Sequence, residues 1–551
     1  MALPRSVYPR GIHRSILGLI IALVMLLTSM VSASDSRADG FSPFQKTVPE
    51  LVAALNDGRI SSTELVQWYL RRIRAFDDTG PGVNAILRVN PRALDQARAI
   101  DRARARGDEV GPLAGVPFLV KDNINVQGLP TTGGSVALRN AMPRDDAFLI
   151  KRLRRAGAIV LAKANMTEFA ASFGQPGYSS LGGTTRNPYN PDRYASGSSS
   201  GPAAGVAANL AAFAVGTDTE GSVRGPASVT GLVGLRPTYG LISRSGILPL
   251  SPTFDTPGPL TRSVSGSALI TRVMAGTDSD DDATERLTAS MLKTLGKVGP
   301  ATLEGLKVGR VTGLDGGNAQ IDDAMTPLVA SLEQGGAVVS PVQLPRAFDR
   351  LWSRVIAPVQ NAEFRPAMER FLGNSVTGAP PNMNDIIARC EENNRHNPHQ
   401  QVNPERIEGM EHTLGRRDTV SPDYLDTLSY TLPKLRERLV ALMDEQHLDV
   451  LIFPTRECPA HPRTPSGKAG FTCTRVDHDP IGYLATVTGA PELTLPLGMT
   501  EAGMPFGVSL LARPFEENTL FALGQALFKQ SPAPRYTPEL APGWYQRLSL
   551  P

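Results

Sequence analysis

This chain of 551 residues is 41% hydrophobic and 20% charged, a composition typical of a globular protein with a sizeable core. Its formal net charge is +3, and it falls to zero when residues 1–33 are left out, because they contain three arginines and no acidic residue. A neutral chain gives no electrostatic reason to expect binding to nucleic acid or to an anionic membrane, so we expect no nucleic-acid partner.

The N-terminal segment has the layout of a signal peptide: basic residues, then an apolar run, then small residues suited to cleavage. These parts are Arg5, Arg10 and Arg14, the run from Ile16 to Leu27, and Val31-Ser32-Ala33. The apolar run is too short to span a bilayer comfortably. We therefore predict a signal peptide at 1–33 and export of 34–551 to the periplasm or the medium, with no stable membrane span after cleavage. An uncleaved anchor is the alternative.

Three cysteines, Cys390, Cys458 and Cys473, are few for an exported protein, so a disulfide framework does not hold this fold together. Cys458 and Cys473 are close enough in sequence to pair, which would leave Cys390 free. Together with His461 and His478 the same two cysteines could imitate a zinc site, but the spacing is irregular. We therefore predict a disulfide or free thiols and no metal ion.

Short apolar runs alternate with helical patterns along the chain. Residues 47–76 predict two helices, each opened by a capping box, at Thr47 to Glu50 and at Ser61 to Glu64. The further predicted helices are 91–106, 146–156 and 202–210, and the predicted strands are 116–120, 158–162, 211–215, 450–453 and 493–497. This alternation predicts an α/β domain with a mixed or largely parallel sheet. The polar stretch 371–425 is predicted to be a surface region or cap within a variable segment at about 350–430.

The glycine-rich segments contain neither a Walker A sequence nor a G-x-G-x-x-G fingerprint, so we expect no nucleotide cofactor. One of them, YASGSSSGPAAG at 194–205, satisfies the G-x-S-x-G pattern of a nucleophile elbow, with Ser199 at its centre. An elbow enzyme needs a histidine downstream, and the candidates all lie in the polar C-terminal portion without a strand-end motif. A flexible linker is the other alternative, but a helix and strand pattern follows directly.

A second segment, VGTDTEGSVRGPAS, surrounds Ser222 with Gly216, Gly221 and Gly225. Such a dense set of glycines beside a strand end is typical of a tight turn whose backbone N–H groups point at a ligand. A serine there could attack a carbonyl carbon while neighbouring amides stabilise the oxyanion. A structural turn with one satisfied hydroxyl is the alternative.

A third segment, LAGVPFLVKDN, ends an apolar strand with Lys121. A lysine is costly there unless it is paired or functional, and burial lowers the pKa of a lysine so that it can serve as a general base. A base lysine, a serine-rich loop and a glycine-flanked serine together predict a hydrolase that works without histidine.

These segments resemble the amidase signature family, whose members hydrolyse or transfer carboxylic amides. The likeness runs from about Thr47 to Gly276 and resumes from Leu448 to Lys529. The matching segments are KANMTEF at 163–169, the Gly/Ser-rich signature at 196–237, and DTPGPLTRS at 255–263. The resemblance implies one compact α/β domain at 34–551, with a large mixed β-sheet surrounded by α-helices.

The resemblance also assigns roles by position. It implies that Lys121 is the catalytic lysine, that Ser198 is the bridging serine and that Ser222 is the nucleophile. It further implies a cis peptide bond between Gly197 and Ser198. Ser199 and Arg224 are then candidates for substrate contact, with bracing of the loop as the alternative role for Arg224.

The backbone N–H groups of Thr219, Glu220, Gly221 and Ser222 are predicted to stabilise the oxyanion. Many family members have two glycines before the nucleophile, whereas this chain has Glu220-Gly221. That acidic residue and the segment GTTRNPY at 183–189 resemble the bacterial peptide amidase subgroup. Glu220 either donates its N–H with its side chain turned outward or contacts the substrate, and both alternatives stay open.

We therefore predict an exported amidase that hydrolyses a C-terminal peptide amide or a small or aryl amide and releases ammonia or an amine. Within the family, an A-type component of a tRNA-dependent amidotransferase is the alternative. The predicted signal peptide argues against it, because that chemistry needs cytoplasmic tRNA and partner subunits. A non-catalytic amide-binding homologue is the alternative from a different class.

Overall fold

The computed structural model describes residues 41–79, 82–171, 175–299, 302–414, 421–474 and 479–530. The predicted signal peptide lies outside these residues, so it stays a prediction. Across the described residues, no helix has both the length and the apolar character needed to cross a bilayer.

The α-helices lie on both sides of a large sheet. In chain order they are α1 Val48–Asn56, α2 Ser62–Ile73, α3 Ala93–Ala105, α4 Phe148–Arg155, α5 Ser200–Ala207, α6 Arg224–Val229, α7 Val264–Met274, α8 Ala289–Thr294, α9 Ala319–Gln334, α10 Ala357–Ser375, α11 Met383–His396, α12 Pro404–Leu414, α13 Pro422–Asp426, α14 Leu432–Glu445, α15 Asp479–Thr488 and α16 Glu517–Gln530. Both predicted capping boxes are present, at the starts of α1 and α2.

The strands are short, as is usual for a sheet covered by helices. They are β1 Ile86–Val89, β2 Pro117–Lys121, β3 Met142–Pro143, β4 Ile159–Ala164, β5 Tyr178–Ser179, β6 Gly183–Thr184, β7 Arg186–Asn187, β8 Asn190–Tyr194, β9 Phe213–Asp218, β10 Val233–Arg236, β11 Thr256–Thr261, β12 Lys307–Val311, β13 Val338–Val342, β14 Val376–Thr377, β15 Val450–Pro454, β16 Glu492–Met499 and β17 Pro505–Leu511.

Eleven strands form one sheet in the order β1-β4-β2-β9-β11-β10-β16-β17-β15-β12-β13. Strand β2 runs parallel to β4 and β9, and β12 runs parallel to β13 and β15. The remaining neighbours pair antiparallel, so the predicted mixed α/β sheet is confirmed. Because β2 and β9 are parallel neighbours, their final residues, Lys121 and Asp218, emerge at the same edge of the sheet.

The polar stretch predicted as a cap forms helices that pack onto the body of the domain. Helices α10 to α12 bury apolar residues against Met166, Phe169 and Leu248, which come from the segments around the predicted site. In α11 the buried residues Met383, Ile386, Ile387 and Cys390 follow helical spacing. These helices therefore share a hydrophobic core with the segments that carry the site.

Cys458 and Cys473 form a disulfide, and Cys390 is a buried free thiol. The two bonded sulfurs are unavailable as thiolate ligands, so the zinc alternative for this pair is wrong. In the part of the chain that the structure describes, no group of three or more His, Cys, Asp or Glu side chains could hold a metal ion.

Candidate active site

Lys121 ends β2 with a side chain that is fully buried. Its Nζ donates to Ser198 Oγ at 2.7 Å, to Thr217 Oγ1 at 2.7 Å and to the Thr217 carbonyl oxygen at 3.2 Å. The parallel pairing of β2 with β9 brings Thr217 beside the lysine. The lysine is thus held against one of the predicted catalytic serines.

The environment of Lys121 favours its neutral form. Burial lowers the pKa of Lys121 to about 7, and the attraction of Asp218 and Asp255 offsets only part of that effect. Because no carboxylate contacts Nζ among the hydrogen bonds of the described residues, the ammonium lacks the ion pair that usually holds a buried lysine charged. At neutral pH a large fraction of Lys121 can therefore accept a proton.

The predicted cis peptide bond between Gly197 and Ser198 is confirmed. A Cβ at position 197 would lie 2.2 Å from Thr167 Oγ1, so only glycine leaves room for this close approach. The Thr167 N–H donates to the Ser198 carbonyl oxygen at 3.0 Å, which ties the serine-rich loop to the segment after β4. Ser198 is nearly buried, with 4% of its surface exposed.

Ser222 lies in the turn that follows β9 and is 9% exposed. Its carbonyl oxygen accepts the Ser199 N–H at 3.1 Å, so the loops that carry Ser198 and Ser222 are joined directly. Gly221 supplies the left-handed backbone conformation of the turn, with a φ of 101°. The structure thus brings the three predicted residues, Lys121, Ser198 and Ser222, to one place.

Asp218 organises the turn around Ser222. Its carboxylate accepts the N–H of Gly221 at 2.8 Å and the N–H of Val223 at 3.0 Å. The Gly221 N–H is therefore engaged with Asp218 and must exchange that bond before it can serve an oxyanion. For Thr219, Glu220 and Ser222, oxyanion binding stays a prediction. Thr219 Oγ1 donates to Asp255 Oδ1 at 2.5 Å, which fixes the start of the turn.

Arg224 is 1% exposed and lies beneath the turn, where it cannot reach a substrate without unfolding of its surroundings. Its Nε and Nη2 each lie 3.0 Å from a different oxygen of Asp218, and its Nη1 lies 2.6 Å from Glu492 Oε2. The candidate role in substrate contact is thus not supported, and the structure gives Arg224 the bracing role.

Ser199, the other candidate for substrate contact, is also fully buried. Its Oγ donates to the Thr217 carbonyl oxygen at 3.1 Å and accepts the Thr217 N–H at 3.3 Å. The hydroxyl therefore anchors the serine-rich loop on β9, so substrate contact by Ser199 is not supported either. The elbow alternative fails for the same reason, because this Oγ is turned into the protein.

The structure contains a buried charge cluster around Asp218, which the sequence did not lead us to predict. Arg224 and Arg236 both pair with Asp218, and Glu492 completes the cluster from β16. These two arginines lower the pKa of Asp218 well below its usual range, although burial alone would raise it. The strand-end position of Asp218 in GTDTEG is a signal that could have revealed it, whereas nothing near Glu492 indicates its partner.

A family model described as Amidase matches residues 64–521, which is more than half of the chain. The chain belongs to the amidase family. The predicted membership is confirmed, and the amidase is an enzyme that hydrolyses carbon–nitrogen amide bonds. Two kinds of relative are similar to it over most of their length.

Among sequence relatives, the A-type glutamyl-tRNA(Gln) amidotransferase subunit of Moorella thermoacetica is 36% identical over 507 residues, covering 90% of the amidase and 98% of that protein. The protein of the same name from Pseudomonas aeruginosa is 35% identical over 504 residues, covering 86% and 95%. Among solved structures, the peptide amidase from Stenotrophomonas maltophilia is 34% identical with a TM-score of 0.79, covering 89% and 98%. The predicted fold is confirmed by that likeness.

Proposed function

We propose that this amidase cleaves carboxylic amides through an acyl-enzyme on Ser222, with Ser198 and Lys121 as a proton relay. The observation that carries the proposal is the 2.7 Å hydrogen bond from buried Lys121 Nζ to Ser198 Oγ. The lowered pKa of Lys121 supports it, because a base must be neutral before it can take a proton.

In the acylation step, Ser222 Oγ attacks the amide carbonyl carbon and forms the new C–O bond. The Ser222 proton passes to Ser198 Oγ, while the Ser198 proton passes to Lys121 Nζ. The relay then runs in reverse and protonates the leaving nitrogen as the C–N bond breaks. Water then attacks the acyl carbon of the ester and passes a proton to the relay. The bond from this carbon to Ser222 Oγ breaks, the relay returns the proton to Ser222 Oγ, and the carboxylic acid is released.

For the oxyanion, we propose the backbone N–H groups of Thr219, Glu220 and Ser222, with Gly221 joining after it exchanges its bond to Asp218. The Asp218 carboxylate and its arginine partners would keep the turn in one conformation, so the other three donors need little rearrangement during the reaction. In this arrangement Glu220 contributes through its backbone.

For the substrate, we propose a C-terminal peptide amide or a small or aryl amide, with ammonia or an amine as the leaving group. The likeness to the Stenotrophomonas peptide amidase, at a TM-score of 0.79, supports this class. The acidic residue before Gly221, which resembles the peptide amidase subgroup, points the same way.

A second candidate function rests on the sequence relatives, which are amidotransferase subunits of up to 36% identity over nearly their whole length. Under this candidate the same site would release ammonia from an amide donor for transfer within an assembly with other subunits. The identities favour this candidate over a free-standing peptide amidase. The predicted signal peptide and the disulfide between Cys458 and Cys473 favour the free-standing enzyme.

We propose export for the same two reasons. Residues 1–33 have the basic, apolar and small-residue order of a signal peptide, and disulfides persist mainly in oxidising compartments. Fractionation of cells that express the full chain, together with the N-terminal sequence of the purified protein, tests this point. A cytoplasmic protein that retains residues 1–33 would contradict export.

The test of function is ammonia release by purified residues 34–551 from amidated peptides, aryl amides and glutamine. Ser222→Ala and Lys121→Ala should fall to the background rate, and Ser222 should be labelled covalently by a fluorophosphonate in the parent enzyme. Ser199→Ala is the matched control, because an elbow enzyme would lose its nucleophile there. Release from glutamine alone would favour the amidotransferase candidate, whereas an unlabelled and inactive protein would favour the amide-binding homologue.

A further inference from the structure

Arg456 lies between the two loops that carry the predicted catalytic serines. Its Nη1 donates to Ser196 Oγ at 3.4 Å, two residues before Ser198. The same nitrogen would lie only 3.0 Å from a Cβ at position 225, three residues after Ser222. Glycine at 225 thus leaves room for the guanidinium beside the site.

The hydrogen-bond donors of the Arg456 guanidinium have few good acceptors. Its Nε is buried without a hydrogen-bond partner among the described residues, and its bond to Ser196 is long. Burial lowers the pKa of Arg456, and the attraction of Glu457 offsets only part of that effect. A cation in this position costs free energy unless an anion completes its surroundings.

The neighbouring basic groups do not compete for an anion. Arg193 directs its Nη1 and Nη2 donors at the carbonyl oxygens of Ala460 and Ala469, at 3.0 and 2.8 Å. Burial and the two arginines lower the pKa of His461 to about 4, so this imidazole is neutral at physiological pH. Of these three described groups, Arg456 is the one that is both partly exposed and cationic, so a bound molecule can reach it.

We propose that Arg456 is a specificity-determining residue that binds a carboxylate of the substrate, so that the preferred substrates are amides carrying a second, anionic group near the scissile bond. The inference rests on the proposed function of the same site. A planar guanidinium offers paired donors that match the two oxygens of a carboxylate, and such charge-assisted bonds are stronger than neutral ones. The carboxylate would also add to the counter-charge that Glu457 supplies only in part.

Kinetics with substrates matched in shape test this proposal. We would compare N-acetylglutamate α-amide with its γ-methyl ester, and an N-succinyl amino-acid amide with its methyl ester. The first pair carries the carboxylate on the side chain, and the second pair carries it on the N-terminal acyl group. In the parent enzyme the acid of at least one pair should be preferred. In Arg456→Gln the acid-to-ester ratio of kcat/KM for that pair should fall roughly 10- to 100-fold, and Arg456→Lys should retain part of it.

Arg463→Gln is the matched control, since it removes the same charge from the same loop where Arg463 Nε binds the Pro191 carbonyl oxygen at 3.1 Å. Its acid-to-ester ratio should stay that of the parent enzyme. An equal fall of the acid-to-ester ratio in both variants would show that the effect comes from net charge alone, and this would overturn the proposal. An acid-to-ester ratio that Arg456→Gln leaves unchanged would overturn it as well.

Calorimetry separates failure of this inference from failure of the proposed function. Binding is measured in Ser222→Ala, because this measurement needs no turnover. The acid amide should bind more tightly than its ester, and this difference in affinity should shrink as the salt concentration increases. Adding Arg456→Gln should remove that difference. If the parent enzyme hydrolyses nothing but this difference is present, the proposed function fails and the carboxylate site stands. Equal affinities for acid and ester in both pairs would overturn the carboxylate site itself.

Discussion

Lys121 and Thr217 contact each other through two atoms of the threonine, since Nζ lies 2.7 Å from Oγ1 and 3.2 Å from the carbonyl oxygen. The hydroxyl of Ser198 is the third partner of Nζ, at 2.7 Å. Among the described residues, the ammonium of Lys121 thus has three oxygen acceptors and no carboxylate in contact. Its protonation is therefore set mainly by burial, which the attraction of Asp218 and Asp255 opposes only in part.

We expect kcat/KM to rise with pH through about 7, because burial lowers the pKa of Lys121 to about 7 and only the neutral amine can act as the base. Each pH unit below that value should lower the rate about tenfold. A pH profile of amide hydrolysis measures this. Burial also raises the pKa of Asp255 to about 6, so Asp255→Asn serves as the control. The acid limb should persist in this variant and move to lower pH, because the attraction of Asp255 for the Lys121 ammonium is lost. A flat profile between pH 5 and 8 would contradict the relay.

We expect Thr217→Val to lower the plateau kcat and to move the acid limb to lower pH. The variant removes an acceptor that favours the charged form of Lys121, so the pKa of Lys121 should fall further. Thr217→Ser keeps the acceptor and should resemble the parent enzyme. A shift of the limb to higher pH would show that Thr217 Oγ1 does not stabilise the ammonium.

We expect Arg224→Gln to be strongly destabilising, by about 3 to 5 kcal/mol, because it leaves the buried carboxylates of Asp218 and Glu492 without their shared partner. A large drop in the thermal midpoint, followed by circular dichroism, would report it. Lys434→Gln is the surface control: its ion pair with Glu437 is exposed and should contribute little. Comparable midpoints for the two variants would contradict the bracing role.

We expect reduction of the disulfide between Cys458 and Cys473 to lower the free energy of unfolding by about 3 kcal/mol, since it closes a loop with a sequence separation of 15. The measurement is the thermal midpoint with and without a reductant. Cys458→Ser should show the lower midpoint in both conditions. A midpoint that does not respond to reductant in the parent enzyme would show that the bridge adds no stability.

Local chemistry made part of the site predictable. Lys121 stood out because a charged residue is costly at the end of an apolar strand, and Gly221 because a dense glycine turn favours positive φ. Which of three consecutive serines faces the lysine was not readable from the residues, since spacing does not fix the rotation of an irregular loop. The family resemblance supplied Ser198, and the structure shows Ser199 turned towards β9.

Contacts between distant parts of the chain could not be predicted. Arg224 and Glu492 are separated by 268 residues, and no periodic pattern relates them. Helices α10 to α12 lie in a region that was predicted only as a polar surface or cap, because many charged residues stand between their buried apolar positions. In α11, however, the spacing of Met383, Ile386 and Cys390 does follow one helical face and could have revealed the helix.

The pairing of Arg224 with Glu492 has a consequence for the timing of activation. The turn that carries the predicted nucleophile is complete in sequence by Val223, yet the carboxylate that completes its charge cluster arrives near the end of the chain. In a growing or truncated polypeptide that lacks β16, Arg224 and Arg236 would share the single carboxylate of Asp218 beneath that turn. We therefore expect the turn to reach its final arrangement only after β16 has joined the sheet, so that hydrolysis begins after that step.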